Sequence, residues 1–192
     1  MEYSGVFKFD LTDTDQLKAL HGHLILANHP SLIDVVVLIS IIPNADCVVK
    51  AHLFKNPFLR GVVKNTGYIS NADPEGLLED CLLTLQSGNN LIIFPEGTRT
   101  KPGKTVKFQR GAANIALRCQ AKIACVLINV KPTTLTKSEP WYKVPERKAH
   151  FSARLVENTL KLPIYKSESV SKQVRQYNEE MEHFFINALD NN

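Results

Sequence analysis

Two short stretches of this sequence hold side chains whose types and spacing could do chemistry. The first is Asn28-His29-Pro30-Ser31-Leu32-Ile33-Asp34. On an α-helix, residues five apart are rotated by about 140° and diverge. His29 and Asp34 therefore meet only if His29 precedes a helix and the chain turns back over the first turn, a break that Pro30 and Ser31 supply. An aspartate accepting a hydrogen bond from one imidazole nitrogen would fix the tautomer and stabilise the imidazolium, leaving the other nitrogen free to remove a proton. The same residues also read as a plain helix entry, with Ser31 as the cap, Asp34 completing a capping box three residues later and His29 in the turn. The second stretch is Phe94-Pro95-Glu96-Gly97-Thr98-Arg99-Thr100, followed by Lys101, Lys104, Lys107 and Arg110. A glycine-containing loop with a hydroxyl and a guanidinium can hold a phosphate or another anion through backbone N–H groups and a bidentate fork. The alternative is a solvated basic loop. His29, Asp34 and Glu96 could also be combined as metal ligands, but three such residues at these spacings are a weak signal without further His or Cys nearby.

These stretches must be positioned by regular elements. Leu24–Ala27 reads as a buried strand, and the apolar stretch from Pro30 to Ile42, closed by Pro43-Asn44, as the helix after it. Cys47–Val49 is a second strand. A helix is expected from about His52 to Lys64, with Phe54, Phe58, Leu59 and Val62 on one face and Lys55, Arg60 and Lys64 on the rest. Asp73-Pro74 has the form of an N-cap with proline at the first helical position; Leu77, Leu78, Cys81, Leu82 and Leu85 then repeat at helical spacing until Gly88. Leu91–Phe94 is a third strand, Gly111–Gln120 a short helix and Ile123–Val130 a fourth strand. Between Lys131 and Pro163 the clearest strand is His150–Val156. The stripe Val170, Val174, Tyr177, Met181, Phe184, Phe185 and Ala188 predicts an amphipathic helix over about 170–189 whose simplest use is packing on a core. The alternation of strands and helices predicts an α/β fold, a mixed sheet flanked by helices in a single domain covering 1–192.

The order Asn28-His29-x4-Asp34 and, some sixty residues on, Phe94-Pro95-Glu96-Gly97-Thr98-Arg99 resembles the glycerolipid and lysophospholipid acyltransferase family, whose bacterial members include 1-acyl-glycerol-3-phosphate acyltransferase. Between the two motifs Lys50, Pro57, Gly61, Gly67 and Ile69 are similar to the family's second block, and Phe108-x2-Gly111-Ala112 to the stretch after its third. The resemblance covers roughly residues 22–130. It implies His29 as general base, Asp34 as its orienter, and Glu96, Gly97, Thr98 and Arg99 as the group that binds the acceptor or its phosphate, with Lys50 as an auxiliary contact. It further implies transfer of a fatty acyl group from acyl-CoA or acyl carrier protein to a hydroxyl of a lysophospholipid-type acceptor, with no metal or redox cofactor. Two positions depart from the pattern. Asn71-Ala72-Asp73 stands where members commonly carry an arginine, and Ile123-Ala124-Cys125-Val126 lacks the fourth block's proline. Asp46–Lys50, Gly67–Ser70 and Pro140-Trp141-Tyr142 look closest to members that accompany bacterial aryl-polyene and related fatty-acid-type pathways. A non-catalytic acyl or phospholipid binder and a thioester hydrolase are the alternatives; retention of both His29 and Asp34 speaks against the first.

Composition bounds these readings. A chain of 192 residues that is 44% apolar can bury a core without disulfides or metal. The net charge of +4 is mild for a nucleic-acid binder, and none is expected as a partner. The apolar run from Leu32 to Ile42 contains Asp34 and falls far short of the roughly 20 residues that span a bilayer. No leader is expected at the N-terminus, and cysteines 47, 81, 119 and 125 form no framework and read as reduced core thiols. A cytoplasmic protein working peripherally at the inner membrane face is the expectation, its docking surface being the 52–64 helix together with the basic loop. Family members often carry N-terminal hydrophobic helices, so the chain either acts peripherally or has its anchor outside these residues.

Overall fold

A computed structural model describes residues 5–49, 69–70, 73–137, 139–140, 142–143, 145–156, 160–164 and 169–191. The expected 52–64 helix with its aromatic and basic residues, and Lys50, Pro57, Gly61, Gly67, Asn71, Ala72 and Trp141, lie outside the described residues. In chain order the described elements are β1 (Phe7–Leu11), α1 (Thr14–Lys18), β2 (His23–Ala27), α2 (Asp34–Ile41), β3 (Ala45–Val49), β4 (Ile69–Ser70), α3 (Pro74–Gln86), β5 (Asn90–Ile93), α4 (Arg110–Arg118), β6 (Lys122–Lys131), β7 (Ala149–Leu155) and α5 (Val170–Asp190).

The strands form one sheet in the order β1-β7-β6-β2-β5-β3-β4. All neighbours are parallel except β6 and β7, so the sheet is mixed, as expected. The central strands are continuous apolar runs because both faces are covered. Alternation sends Leu24, Leu26, Leu91, Ile93, Cys125 and Leu127 to the core under α3, α4 and α5. Ile25, Ala27, Ile92, Val126 and Ile128 face the opposite core, with Leu17 of α1 and Val37, Leu38 and Ile41 of α2.

The helix signals work locally as their chemistry demands. Asp73 Oδ2 accepts the Gly76 N–H at 3.2 Å, and Gly88, at φ +84°, follows the last turn of α3 in a conformation that suits glycine. The middle of the α5 stripe is core: Val174, Tyr177, Met181 and Phe185 are buried, with Phe185 edge-on to Phe108 at 5.2 Å, while Phe184 and Ala188 are partly buried and Val170 is exposed. All four cysteines are free, three of them buried. Burial pushes the thiols of Cys47, Cys81 and Cys125 up to about 12, which leaves them protonated and unreactive.

The structure differs from the sequence reading at the margins, where strand β4 (Ile69–Ser70) is one element that reading lacks. The N-terminal segment forms β1 and α1, where no element was assigned; β1 adds to the sheet only by pairing with β7, more than 130 residues away. Helix α2 starts at Asp34 rather than near Pro30, because the preceding turn is held by other bonds.

Candidate active site

Parallel register makes the site. Leu26 pairs with Ile93 of β5 and with Cys125 of β6, and Ala27 with Val126, so β2 and β5 end together and release residues 28–34 and 94–100 at the carboxyl edge of the sheet, while β6 runs on beside β7 to Lys131 before releasing 132–136. Such an edge is where open α/β sheets place ligands. Asn28 pins the first segment down: its side-chain amide donates to the Ile128 carbonyl at 2.8 Å and accepts the Ile128 N–H at 2.7 Å.

His29 and Asp34 do meet. Nδ1 of His29 lies 2.8 Å from Oδ2 of Asp34, which also accepts the Ser31 N–H at 2.8 Å. An oxygen that already accepts one N–H is an acceptor for the other, so Nδ1 is the protonated nitrogen and Nε2 the free one. The catalytic and capping readings of Asp34 hold together: one oxygen ties the turn and orients the ring. The other half of the capping box is not made, because the Ser31 hydroxyl donates to the Thr134 carbonyl at 3.1 Å. Asp34 is fully buried and its Oδ1 accepts no hydrogen bond from a described residue. Burial pushes its carboxyl above the ordinary value, opposed by the bonds from His29 and Ser31 and by the charge of Arg99. The imidazole stacks on Phe94 with ring centroids 4.2 Å apart and remains 18% exposed, which leaves it a path to substrate.

The second loop emerges beside it. A turn closes from the Gly97 N–H to the Phe94 carbonyl at 2.9 Å. Gly97 holds φ +65°, a left-handed conformation that suits glycine. Glu96 is 4% exposed and faces inward: Oε1 accepts the His29 N–H at 2.7 Å and Oε2 accepts the Thr100 hydroxyl. In this geometry both carboxylate oxygens of Glu96 brace the histidine turn and its neighbour Thr100. Burial, with Asp34 adding repulsion, pushes its carboxyl up to about 7. Gly97 is exposed, Thr98 and Arg99 half-buried. Arg99 spends one nitrogen on the protein, Nη1 donating to the carbonyls of Leu135 at 2.7 Å and Thr136 at 3.0 Å. Among the described residues no hydrogen bond engages Nε or Nη2.

Lys101, Lys104, Lys107 and Arg110 are exposed, and their loop is anchored by buried Val106 and Phe108. Among the described residues no group of three His, Cys, Asp or Glu side chains is placed to hold a metal ion. The sequence reading gave no role to Phe94 as a ring partner, Thr100 as a brace or Asn28 as a clamp. The segment 134–136, which carries three backbone acceptors, gave no side-chain signal at all.

Residues 8–129 match the family model described as Acyltransferase. Over 114 residues the chain is 40% identical to a 1-acyl-sn-glycerol-3-phosphate acyltransferase of Helicobacter pylori, covering 55% of this chain and 48% of that protein. It is 34% identical over 114 residues to a putative 1-acyl-sn-glycerol-3-phosphate acyltransferase of Caenorhabditis elegans, covering 55% of this chain and 40% of that protein. The chain thus spans about half or less of the relatives it matches. The crystal structure of the 1-acyl-sn-glycerophosphate acyltransferase of Thermotoga maritima superposes with a TM-score of 0.64 over 96% of this chain and 73% of that one, at 21% identity, a likeness of fold. With a family match that runs through both loaded loops and over more than half of the sequence, the chain belongs to the acyltransferase family.

Proposed function

We propose that the protein is an O-acyltransferase that moves a fatty acyl group from a thioester, acyl-CoA or acyl carrier protein, to the hydroxyl of a lysophospholipid such as 1-acyl-glycerol-3-phosphate. The observation that carries this reading is the His29–Asp34 pair, with Nδ1 held at 2.8 Å by a buried carboxylate in a ring that stays partly exposed. Nε2 takes the proton of the acceptor hydroxyl as its oxygen attacks the thioester carbonyl. The tetrahedral intermediate collapses with loss of the thiolate, which recovers the proton from the imidazolium, so no covalent enzyme intermediate is needed. Asp34 stabilises the transient imidazolium. Binding of the acceptor's phosphate is supported by the adjoining loop, where Gly97 is exposed and Thr98 and Arg99 are half-buried.

Among the described residues no helix is long and apolar enough to cross a membrane. Contact with a lipid surface is supported instead by the start of α2, where Leu32 and Val36 are 46% and 52% exposed beside the histidine turn, and by the exposed basic loop. The test is mass spectrometry of products from acyl-CoA or acyl carrier protein offered with lysophosphatidate and with neutral monoacylglycerol. Diacyl product formed fastest from lysophosphatidate supports the reading. Free fatty acid without ester product identifies a hydrolase, and unchanged donor a binder.

A further inference from the structure

We infer that residues Thr134–Thr136 form a strap that holds the anion loop in register with the histidine turn, and that Ser31 is the positioning residue that fixes it. The strap is bonded from both sides. From the histidine turn, the Ser31 hydroxyl donates to the Thr134 carbonyl at 3.1 Å and the Leu32 N–H to the Leu135 carbonyl at 3.1 Å. From the anion loop, Arg99 Nη1 reaches the carbonyls of Leu135 and Thr136. The Leu135 carbonyl is thus shared by the two motifs. Ser31, Thr134 and Thr136 are buried, at 0%, 3% and 4% exposure, so these bonds exchange little with water and are costly to lose.

The strap's backbone is held in a form it would not choose. Leu135 sits at φ +53°, a left-handed conformation a branched side chain rarely adopts, and persists there because its neighbours over-determine it. The Thr136 N–H donates to Glu139 Oε2 at 3.1 Å, which anchors the far end. Direct bonds also join the two motifs, from the His29 N–H to Glu96 Oε1 and from the Thr100 N–H to the His29 carbonyl at 3.0 Å, but these lie at the base of the loops. The strap is what ties Arg99 itself to the turn. Since Ser31 is fully buried it touches no substrate, and its effect must pass through the strap.

Ser31→Ala, Ser31→Thr and Arg99→Lys test this by hydrogen exchange of the whole chain, a readout that does not depend on the acyl-transfer reading. With Ser31→Ala, amide exchange should rise about tenfold, the loss of one buried hydrogen bond, in 132–136 and also in 96–100. Arg99→Lys should reciprocally speed exchange at Leu32, and Ser31→Thr should restore protection. Loosening confined to 132–136, or no change at all, overturns the inference. If Ser31→Ala fails to fold, the Arg99→Lys effect on Leu32 decides alone. Where acyl transfer is measurable, Ser31→Ala should raise the acceptor KM about tenfold with little change in kcat or its pH profile, and the Ser31→Ala/Arg99→Lys pair should be less than additive. Additive losses, or a shifted pH profile, overturn it.

Discussion

The turn around His29 and the basic loop from Lys101 to Arg110 both follow strands that end at the same edge of the sheet, and they are built in opposite ways. In the turn, the polar groups are locked. Asn28 is clamped to Ile128, Asp34 binds the ring and the Ser31 N–H, and Glu96 braces the His29 backbone. In the loop, the four cations point into solvent while the backbone is fixed from below: Phe108 N–H donates to Glu182 Oε2 at 2.6 Å, and Val106 and Phe108 enter the core. Proton transfer depends on distance and angle, so it needs groups held to within tenths of an ångström. Attraction of an anion depends on field, which tolerates motion. Changes in the turn should therefore cost activity steeply and independently of salt, and changes in the loop mildly and in proportion to screening.

The largest expected effect is that of His29→Ala. Its ring is partly exposed and outside both cores, so kcat/KM should fall by roughly three orders of magnitude while the melting temperature stays close to wild type. Turnover within tenfold of wild type would remove the histidine from the chemistry. Next comes Asp34→Asn, which keeps the volume and an acceptor oxygen for the two N–H donors but removes the charge that stabilises the imidazolium; about a hundredfold loss of kcat is expected, together with about 1 kcal/mol of stability, read by kinetics and denaturant melts in parallel.

Glu96 sharpens the comparison through pH. Its folded-state carboxyl, near 7 against an ordinary 4.5, keeps its proton where the unfolded chain has released it. Stability from this group is complete below about pH 4.5 and is lost as pH rises through about 7, a change on the order of 3 kcal/mol at most. Glu96→Gln should flatten that part of the stability profile between pH 5 and 8, whereas an unchanged profile would show that the brace carries no titration. The smallest effect belongs to the loop. Lys104→Glu with Lys107→Glu should move stability by no more than about 0.5 kcal/mol and weaken use of anionic vesicle substrate only at low salt. An equal loss at high salt would mean that these lysines make specific contacts.

The legible parts of the molecule are those whose signal is local. The stripes of α3 and α5, the Asp73-Pro74 entry and the central strands follow from spacing alone, and His29 meeting Asp34 follows from a proline break and a five-residue interval. What the sequence hides is set by partners far along the chain. Phe7–Leu11 is a strand because Ala149–Ala153 lies beside it, and a short half-polar segment cannot announce that. Glu96 looks like a substrate ligand in its motif, and only the three-dimensional placement of His29 N–H and Thr100 turns it inward. The 134–136 strap acts through carbonyls, which every residue possesses, so no residue type marks it.

The most direct measurement of the central claim, that Asp34 holds His29 with Nε2 ready to take a proton, is the 15N NMR spectrum of histidine-labelled protein, with His29 assigned from its loss in His29→Gln. In the neutral ring the expected result is a protonated Nδ1 and a bare Nε2, and a population that scrambles between tautomers in Asp34→Ala. A His29 ring that carries its proton on Nε2, or one whose tautomer is indifferent to Asp34, would contradict the account.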